Sequence, residues 1–373
     1  MFNIQMLPAD HGDCLWIEYG EKTDVCRILI DGGTEHSFDN LAERINEFSA
    51  ETLDFELFVI THVDADHIGG SLELLRRLDE LDKKIVFGDV WFNGWRHLSD
   101  QLGDKQGEFL THHLETRKLR WNGAFEKTTK AVIVPDDGVL PVHVLPGGMK
   151  LTLLSPNRAK LNKLRDRWLE TITEAGLTPG KVKDEKKVKV KPADRLGDTA
   201  PNVDSLADAK FKSDKTPANG SSIAFLAEYT DGSGKMKNCL FTGDAHMDVL
   251  TASIKRLMTD DAQWVENGRL KLDALKISHH GSQKNLSKDL LDLVDCDKFL
   301  FSTNGQQFSH PDRESVARVI KYGRTGGNNR DPKLFFNYKT NFNKIWDDRG
   351  LQFNHNYETL YPLTGQSGVT INL

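Results

Sequence analysis

Cysteine is scarce in this chain of 373 residues: four only, Cys14, Cys26, Cys239 and Cys296, with no C-x-x-C pair among them. Isolated cysteines inside apolar runs read as reduced core residues, so the expected setting is the cytoplasm rather than an oxidising compartment. No run approaches 18 consecutive apolar residues, so no membrane span and no membrane partner are expected. The first ten residues lack the basic stretch and apolar core of a signal peptide. No internal repeat is visible. Neither sign of charge dominates: 49 Lys and Arg against 55 Asp and Glu give a net charge of −6, which excludes a bulk nucleic-acid coat but leaves room for a local basic patch. With 38% hydrophobic and 28% charged residues, the composition also excludes a collagen-like chain, a coiled coil and a wholly disordered protein.

What is present is an alternation of short apolar runs and helical patterns. Phe2 to Leu7, Cys14 to Tyr19, Cys26 to Asp31, Glu56 to Thr61 and Ile85 to Trp91 read as strands. Asp39 to Phe48 and Gly70 to Leu78 read as helices. Further strands are expected at 131–134, 141–145 and 150–154, and a charged amphipathic helix at 157–175. Strands followed by helices suggest α/β layers. Residues 92–125 form a variable region rich in aromatic and polar groups, expected to hold one helix, with His97, His112 and His113 on the surface. Residues 176–218 have almost no apolar periodicity and carry six lysines between Lys181 and Lys191, so they read as a charged insertion, either a solvated linker or an arm that guides a polyanion. Strands return at 221–229, 238–242, 274–278 and 298–302, interleaved with helices at 247–258, 286–293 and 313–321.

The densest chemical signal is Thr61-His62-Val63-Asp64-Ala65-Asp66-His67, directly after an apolar strand. Four potential metal ligands within six residues, at a strand's C-terminal end, can fold onto one point, and imidazoles with carboxylates suit Zn, Mn or Fe. Three later fragments repeat the pattern of strand followed by polar ligand: Thr242-Gly243-Asp244, Ser278-His279-His280-Gly281-Ser282 and Ser309-His310-Pro311.

In this order the motifs resemble those of the metallo-β-lactamase-fold hydrolases. More narrowly, they are similar to the soluble hydrolase domain of the ComEC competence proteins and its stand-alone relatives. The correspondence rests on Gly12-Asp13, Asp31-Gly32-Gly33, the H-x-D-x-D-H loop at 62–67, Asn219-Gly220-Ser221-Ser222, Thr242-Gly243-Asp244, Lys276 to Ser282 and His310-Pro311. It implies a single domain over 1–373: an αββα sandwich of two mixed sheets with helices outside. The common loop of the wider superfamily is H-x-H-x-D-H, and here Asp64 replaces its middle His. Asn219 stands about where a third-motif His would.

The resemblance implies a first metal position from His62, Asp64, a shared Asp244 and either a direct or a supporting role for Asn219. A second would come from Asp66, His67, Asp244 and one of the pair His279 and His280, His279 being favoured. The cofactor would be a divalent metal, one or two ions, Zn or Mn; the oxygen-rich first position shifts preference toward Mn or Mg. Asp31 would orient the metal loop or simply shape the turn before Gly32. Asp66 is a candidate to hold the attacking water. His280 and His310 are candidates to protonate a leaving oxygen or bind phosphate, and a structural role is open for His310. Trp91, Trp95, Trp121 and Ser282 are candidates for substrate contact, the tryptophans by stacking on bases or by packing a lid.

The leading function so implied is a phosphodiesterase that acts on DNA, RNA or a nucleotide through metal-activated water. One alternative hydrolyses another ester, such as a choline phosphodiester or a lactone. Another is a weakly catalytic subunit of a larger assembly, its protein partner unknown.

Overall fold

A computed structural model describes residues 1–94, 97, 105–174, 201–323 and 331–373. Trp95, residues 176–200 of the expected insertion and its lysine run at 181–191 lie outside the described residues.

Two mixed sheets carry most of the described chain, beside a small three-stranded one of Val265–Glu266, Arg269–Leu272 and Val294–Cys296. The first has six strands in the order Val369–Asn372, Phe2–Met6, Leu15–Glu21, Asp24–Ile30, Thr52–Val59, Lys84–Trp91; its last two neighbour pairs are parallel and the rest antiparallel. The second has eight, in the order Glu358–Leu360, Lys333–Phe336, Lys298–Phe301, Ala274–Lys276, Met236–Phe241, Ala224–Thr230, Lys150–Ser155, Val142–Val144. It is parallel from its first strand as far as Met236–Phe241 and antiparallel beyond.

The side-chain period of a strand explains the layering. Ile28, Ile30, Leu57 and Val59 point into a core shared with Leu151, Leu153, Phe225 and Ala227 of the second sheet. Their neighbours Leu29 and Phe58 point the other way, onto Phe38, Leu41 and Ile45 of the helix Phe38–Asn46 and onto the helix Ala65–Arg76. On the outer face of the second sheet, Leu250, Ile254 and Leu257 of the helix Met247–Asp260 recur at helical spacing and are buried. The result is the expected αββα sandwich. The cysteines are free thiols, three of them buried.

Several local expectations differ. The helix after the first ligand loop begins at Ala65, not at Gly70, so Asp66 and His67 stand in its first turn. Gly70 is a packing residue: a Cβ there would lie 2.0 Å from the carbonyl oxygen of Gly32, and a larger residue would push the helix off the Asp31 turn. Ala131 to Val134 forms only a single bridge, Val134 to Asn157. His97 is buried, its ring edge-on to Trp121 at 4.6 Å, and is no surface group.

The described part of the expected insertion, residues 201–218, is ordered structure. Val203–Ala207 is a helix whose Val203 and Ala207 join the main core, and Asn202 caps it. Arg318, 1% exposed on the helix Arg313–Tyr322, donates to the carbonyls of Ala209, Gln283 and Leu286. One buried cation thus ties this segment to the loop that follows His280.

Candidate metal centre

The ligand-bearing loops leave the C-terminal ends of parallel strands, one in the first sheet and three neighbours in the second, the edge at which open α/β sheets present their ligands. Thr52–Val59 leads to His62–His67, Met236–Phe241 to Asp244, Ala274–Lys276 to His279 and His280, and Lys298–Phe301 to Ser302 and His310. The loop at Gly12 packs beneath the metal loop so tightly that a Cβ at Gly12 would sit 1.7 Å from the Asp66 carbonyl oxygen. Gly12 is therefore set by close approach.

Each of the four central histidines has its Nδ1 held, which leaves Nε2 for the site. His67 Nδ1 lies 2.8 Å from Asp31 Oδ2. The Thr61 hydroxyl donates to Asp31 Oδ2 at 2.7 Å, so it must accept from His62 Nδ1 at 3.0 Å. His280 Nδ1 lies 2.9 Å from the Ser302 carbonyl oxygen. His279 Nδ1 lies 2.9 Å from Asn285 Oδ1. Both of these oxygens can only accept, so each Nδ1 carries the proton.

The Nε2 atoms gather around Asp244, which is 2% exposed. His67 Nε2 is 3.4 Å from Asp244 Oδ1; His280 Nε2 is 3.7 Å, and His62 Nε2 and His279 Nε2 are each 3.8 Å, from Oδ2. Asp64 Oδ2 stands 3.5 Å from His62 Nε2, and Asp66 Oδ2 stands 3.2 Å from His280 Nε2.

The donor set fits divalent cations. His62 Nε2 and Asp244 Oδ1 are buried with no hydrogen-bond partner. Leaving such atoms unpaired costs about 1–3 kcal/mol each, so native structures rarely do so without a ligand. His62, His67 and Asp244 bring ligand atoms within 4.8 Å of one another, as do Asp13, His67 and His280. Without a cation, protons must do its work. Burial alone would lower the His280 value, but Asp244, Asp13 and Asp66 outweigh it and push it up to about 10. Burial also opposes a charged His67, yet Asp244 and Asp31 hold it well above the ordinary range. Asp244 is held well below the carboxylate range in spite of its burial, by His67, His280 and His279.

One site expectation needs correction. His280, not His279, accompanies Asp66 and His67, because His280 Nε2 approaches both, at 3.2 and 3.1 Å, while His279 Nε2 stands 3.8 Å from Asp244 Oδ2. Asn219 stands behind His279, in the supporting place left open for it: its Nδ2 donates to Asp214 Oδ2 at 2.7 Å and lies 3.1 Å from His279 Nδ1, and its Oδ1 is buried with no hydrogen-bond partner among the described residues. Asp31 accepts from the backbone N–H and hydroxyl of Thr61 and from His67. His310 sits at the rim, its ring 5.5 Å from that of His279 and its Nδ1 3.2 Å from Asp312.

The candidates for substrate contact fare differently. Trp91 is 1% exposed and packs on Phe125 and Phe225; Trp121 is 8% exposed and donates to the Phe92 carbonyl. Neither has a face for a base. Ser282 is buried in the turn, where its N–H donates to the His279 carbonyl and its hydroxyl accepts from the Lys284 N–H.

Several residues were not singled out for the site from sequence. Asp214 lay in the expected insertion, and Asn285 and His246 carried no spacing signal. Asp214 Oδ2 accepts from Asn219 and Asn285, and His246 Nε2 stands 3.6 Å from it. Lys276 Nζ and Asp13 Oδ2 form a buried pair at 2.7 Å, and Asp13 Oδ1 lies 3.4 Å from His280 Nδ1. The motif residues Asp13 and Lys276 thus brace His280 from behind.

Residues 7–149 match the family model of the metallo-beta-lactamase superfamily. That span takes in most of the first sheet and the whole His62–His67 loop. Together with the αββα layers, it gives the architecture as the metallo-β-lactamase fold. Two solved structures align remotely. The metallo-beta-lactamase fold protein YhfI from Bacillus subtilis does so over 100% of both chains, at 9% identity and a TM-score of 0.38. MEM-A1, a subclass B3 metallo-beta-lactamase isolated from a soil metagenome library, does so over 94% of both chains, at 12% identity and a TM-score of 0.30. Likenesses this distant carry no argument about chemistry. No curated protein matches the chain significantly. No helix among the described residues is long and apolar enough to cross a membrane.

Proposed function

We propose that this protein is a metal-dependent hydrolase of phosphodiesters, with nucleic acid or a nucleotide as its substrate class. The observation that carries the hydrolase reading is the convergence of four Nε2 atoms, each with its Nδ1 anchored, on the single carboxylate of Asp244. A pair of divalent cations held there, Zn or Mn, would supply a nucleophilic hydroxide near neutral pH and neutralise charge on the attacked centre. The residues of the chain do the rest. Asp31 and Thr61 fix the His62 and His67 rings, and the Ser302 carbonyl and Asp13 fix His280. Asp66 is 13% exposed at its side chain and faces the water side of the site. His310, braced by Asp312, is the group at the rim that can hand a proton to a leaving oxygen.

The finer substrate reading rests on the likeness of the motifs to the ComEC-type hydrolases and on Phe308. This ring is 51% exposed and lies between His11, at 5.7 Å, and His310, at 6.0 Å. It offers a flat apolar face beside the centre for a nucleobase. A second reading, a smaller ester, is favoured by the burial of Trp91 and Trp121, which removes two faces a long strand could use.

The test is turnover by the purified chain loaded with Mn or Zn. The panel comprises single- and double-stranded DNA, RNA, cyclic nucleotides, bis-p-nitrophenyl phosphate, a choline phosphodiester and a lactone. Chelator-sensitive cleavage of nucleotide phosphodiesters is expected. Turnover confined to the lactone or the choline ester would overturn the substrate class, and no turnover of any ester would overturn the hydrolase.

A further inference from the structure

His279 and His280 are consecutive, both carry positive φ (+48° and +54°), and Gly281 follows at +87°. Non-glycine residues enter the left-handed region at a cost, and two in succession persist only where surroundings impose them. Here the backbone is held by the His279 N–H donating to the Gly243 carbonyl and by the Ser282 N–H donating to that of His279. The effect is to bring two adjacent rings onto one oxygen, Asp244 Oδ2, with Nε2 at 3.8 Å for His279 and 3.7 Å for His280. His280 Nε2 also meets Asp66 Oδ2 at 3.2 Å and His67 Nε2 at 3.1 Å, whereas the His279 ring is held through its Nδ1 by Asn285.

We propose that His279 is a ligand of the first cation position, alongside His62, Asp64 and Asp244. It would supply there the imidazole that the sequence lacks at Asp64 and Asn219. The inference rests on reading this site as a metal centre. Its support is the way His279 is prepared. Metal-bound histidines commonly donate their second ring N–H to a carboxylate, a carbonyl or water, which fixes tautomer and ring angle. His279 Nδ1 donates to Asn285 Oδ1, and the Asn285 amide cannot turn over, because its Nδ2 is spent on Asp214 Oδ2 and on the Asp244 carbonyl, each at 3.2 Å. Asp214 Oδ2 itself lies 3.7 Å from His279 Nδ1, and its other oxygen is held by Thr216. Asp214 and Asn285 are thus positioning residues that leave the Nε2 lone pair of His279 bare and aimed at the centre. An imidazole in place of a third oxygen donor also makes the first position softer than its sequence suggests, which favours Zn and Mn over Mg.

The test measures metal, not turnover. Zn and Co(II) binding to the full-length chain is followed by calorimetry, metal analysis and the Co(II) visible spectrum. The wild type is compared with His279→Asn, which tolerates the left-handed backbone, and with Asn285→Leu, Asp214→Asn and Asn219→Ala. His279→Asn is expected to lose one ion, or to bind it at least about a hundred-fold more weakly, with a changed Co(II) spectrum. Asn285→Leu and Asp214→Asn should weaken the same ion by about 10–100-fold. In His279→Gly, added imidazole should restore the ion and its spectrum, which a purely structural role would not allow. Wild-type stoichiometry, affinity and spectrum in His279→Asn would overturn the proposal while the hydrolase reading stood. Loss of the ion in Asn219→Ala but not in His279→Asn would transfer the role to Asn219. A wild-type chain that binds neither metal would remove the metal-centre reading itself.

Discussion

His67 Nε2 and His280 Nε2 face each other at 3.1 Å, each with its opposite ring nitrogen engaged, on Asp31 and on the Ser302 carbonyl respectively. If both rings were neutral, two lone pairs would point at one another inside the protein. Only a positive centre, a proton or a metal, makes that contact favourable. It follows that the ion-free site is held together by protons that a cation must displace.

The first prediction concerns the loop that supplies one side of this contact. Asp66→Ala with His67→Ala should remove most bound metal and lower hydrolysis by about three orders of magnitude or more, because nucleophile and charge stabilisation go together. The fold should persist, since both residues stand in the first turn of the helix Ala65–Arg76, whose apolar side chains Ile68, Leu72 and Leu75 stay packed in the core. Metal analysis, a rate assay and a thermal melt check this. Full activity with wild-type metal content in the double variant would remove the loop from the site.

The second prediction is a pH dependence. His67 and His280 are raised above the roughly 6.5 of an unfolded histidine. Their stabilisation of the chelated protein is complete below about pH 6.5 and is lost as pH rises through the folded value, about 10 for His280. Asp66 and Asp244 are held low, so their contribution is present above about pH 4 and is lost only on acidification below that. The chelated protein should therefore be most stable between about pH 4 and 6.5. Metal affinity should rise with pH between 6 and 9, by up to about tenfold per unit for each proton displaced. Melting curves with and without Zn across that range measure it, and a metal-induced gain that shrinks as pH rises would contradict it.

The sheets and the ligand loops were legible because each strand's apolar run ends where its ligands begin, and a run of that kind has few other readings. Asp214 was not legible. It shares a stretch with the lysine run, and a five-residue helix such as Val203–Ala207 buries too few side chains to show a period. The choice between His279 and His280 depends on two left-handed residues in succession, which no propensity signals. The aromatic region left stacking and packing both open for a different reason: composition counts rings but does not say which way they point. Asp89 decides that for Trp91, as its carboxylate accepts from the N–H groups of Val90, Gly123 and Ala124 and from the indole, pinning the segment inward.

The third prediction follows from that orientation. Trp91→Ala should destabilise the fold by about 3–5 kcal/mol, the usual cost of emptying a large aromatic site in a core. At temperatures where the variant is folded, KM for any substrate should stay at the wild-type value, since no face of the ring reaches solvent. Denaturant melts combined with steady-state kinetics separate the two effects. A stable variant with a raised KM would return Trp91 to the substrate site.

The fourth prediction isolates the rim. Phe308 is half exposed, so Phe308→Ala should leave the melting temperature almost unchanged. If a nucleobase stacks on it, the lost contact is worth about 1–3 kcal/mol, or roughly a 5- to 150-fold rise in KM for nucleotide substrates. The kcat of a slow, fully bound substrate should change far less, because the ring touches neither Asp244 nor the imidazoles around it; its neighbours are His11 and His310. The His310 neighbour supplies an internal control: Phe308→Leu keeps the apolar packing of that ring but not the stacking face, so it should recover little of the lost affinity. Kinetics on an oligonucleotide and on a small aliphatic phosphodiester, run side by side, read the difference. An equal loss on both would show that the ring positions His310 instead of the base, and an unchanged KM on both would leave the substrate's apolar contact to be found elsewhere on the rim.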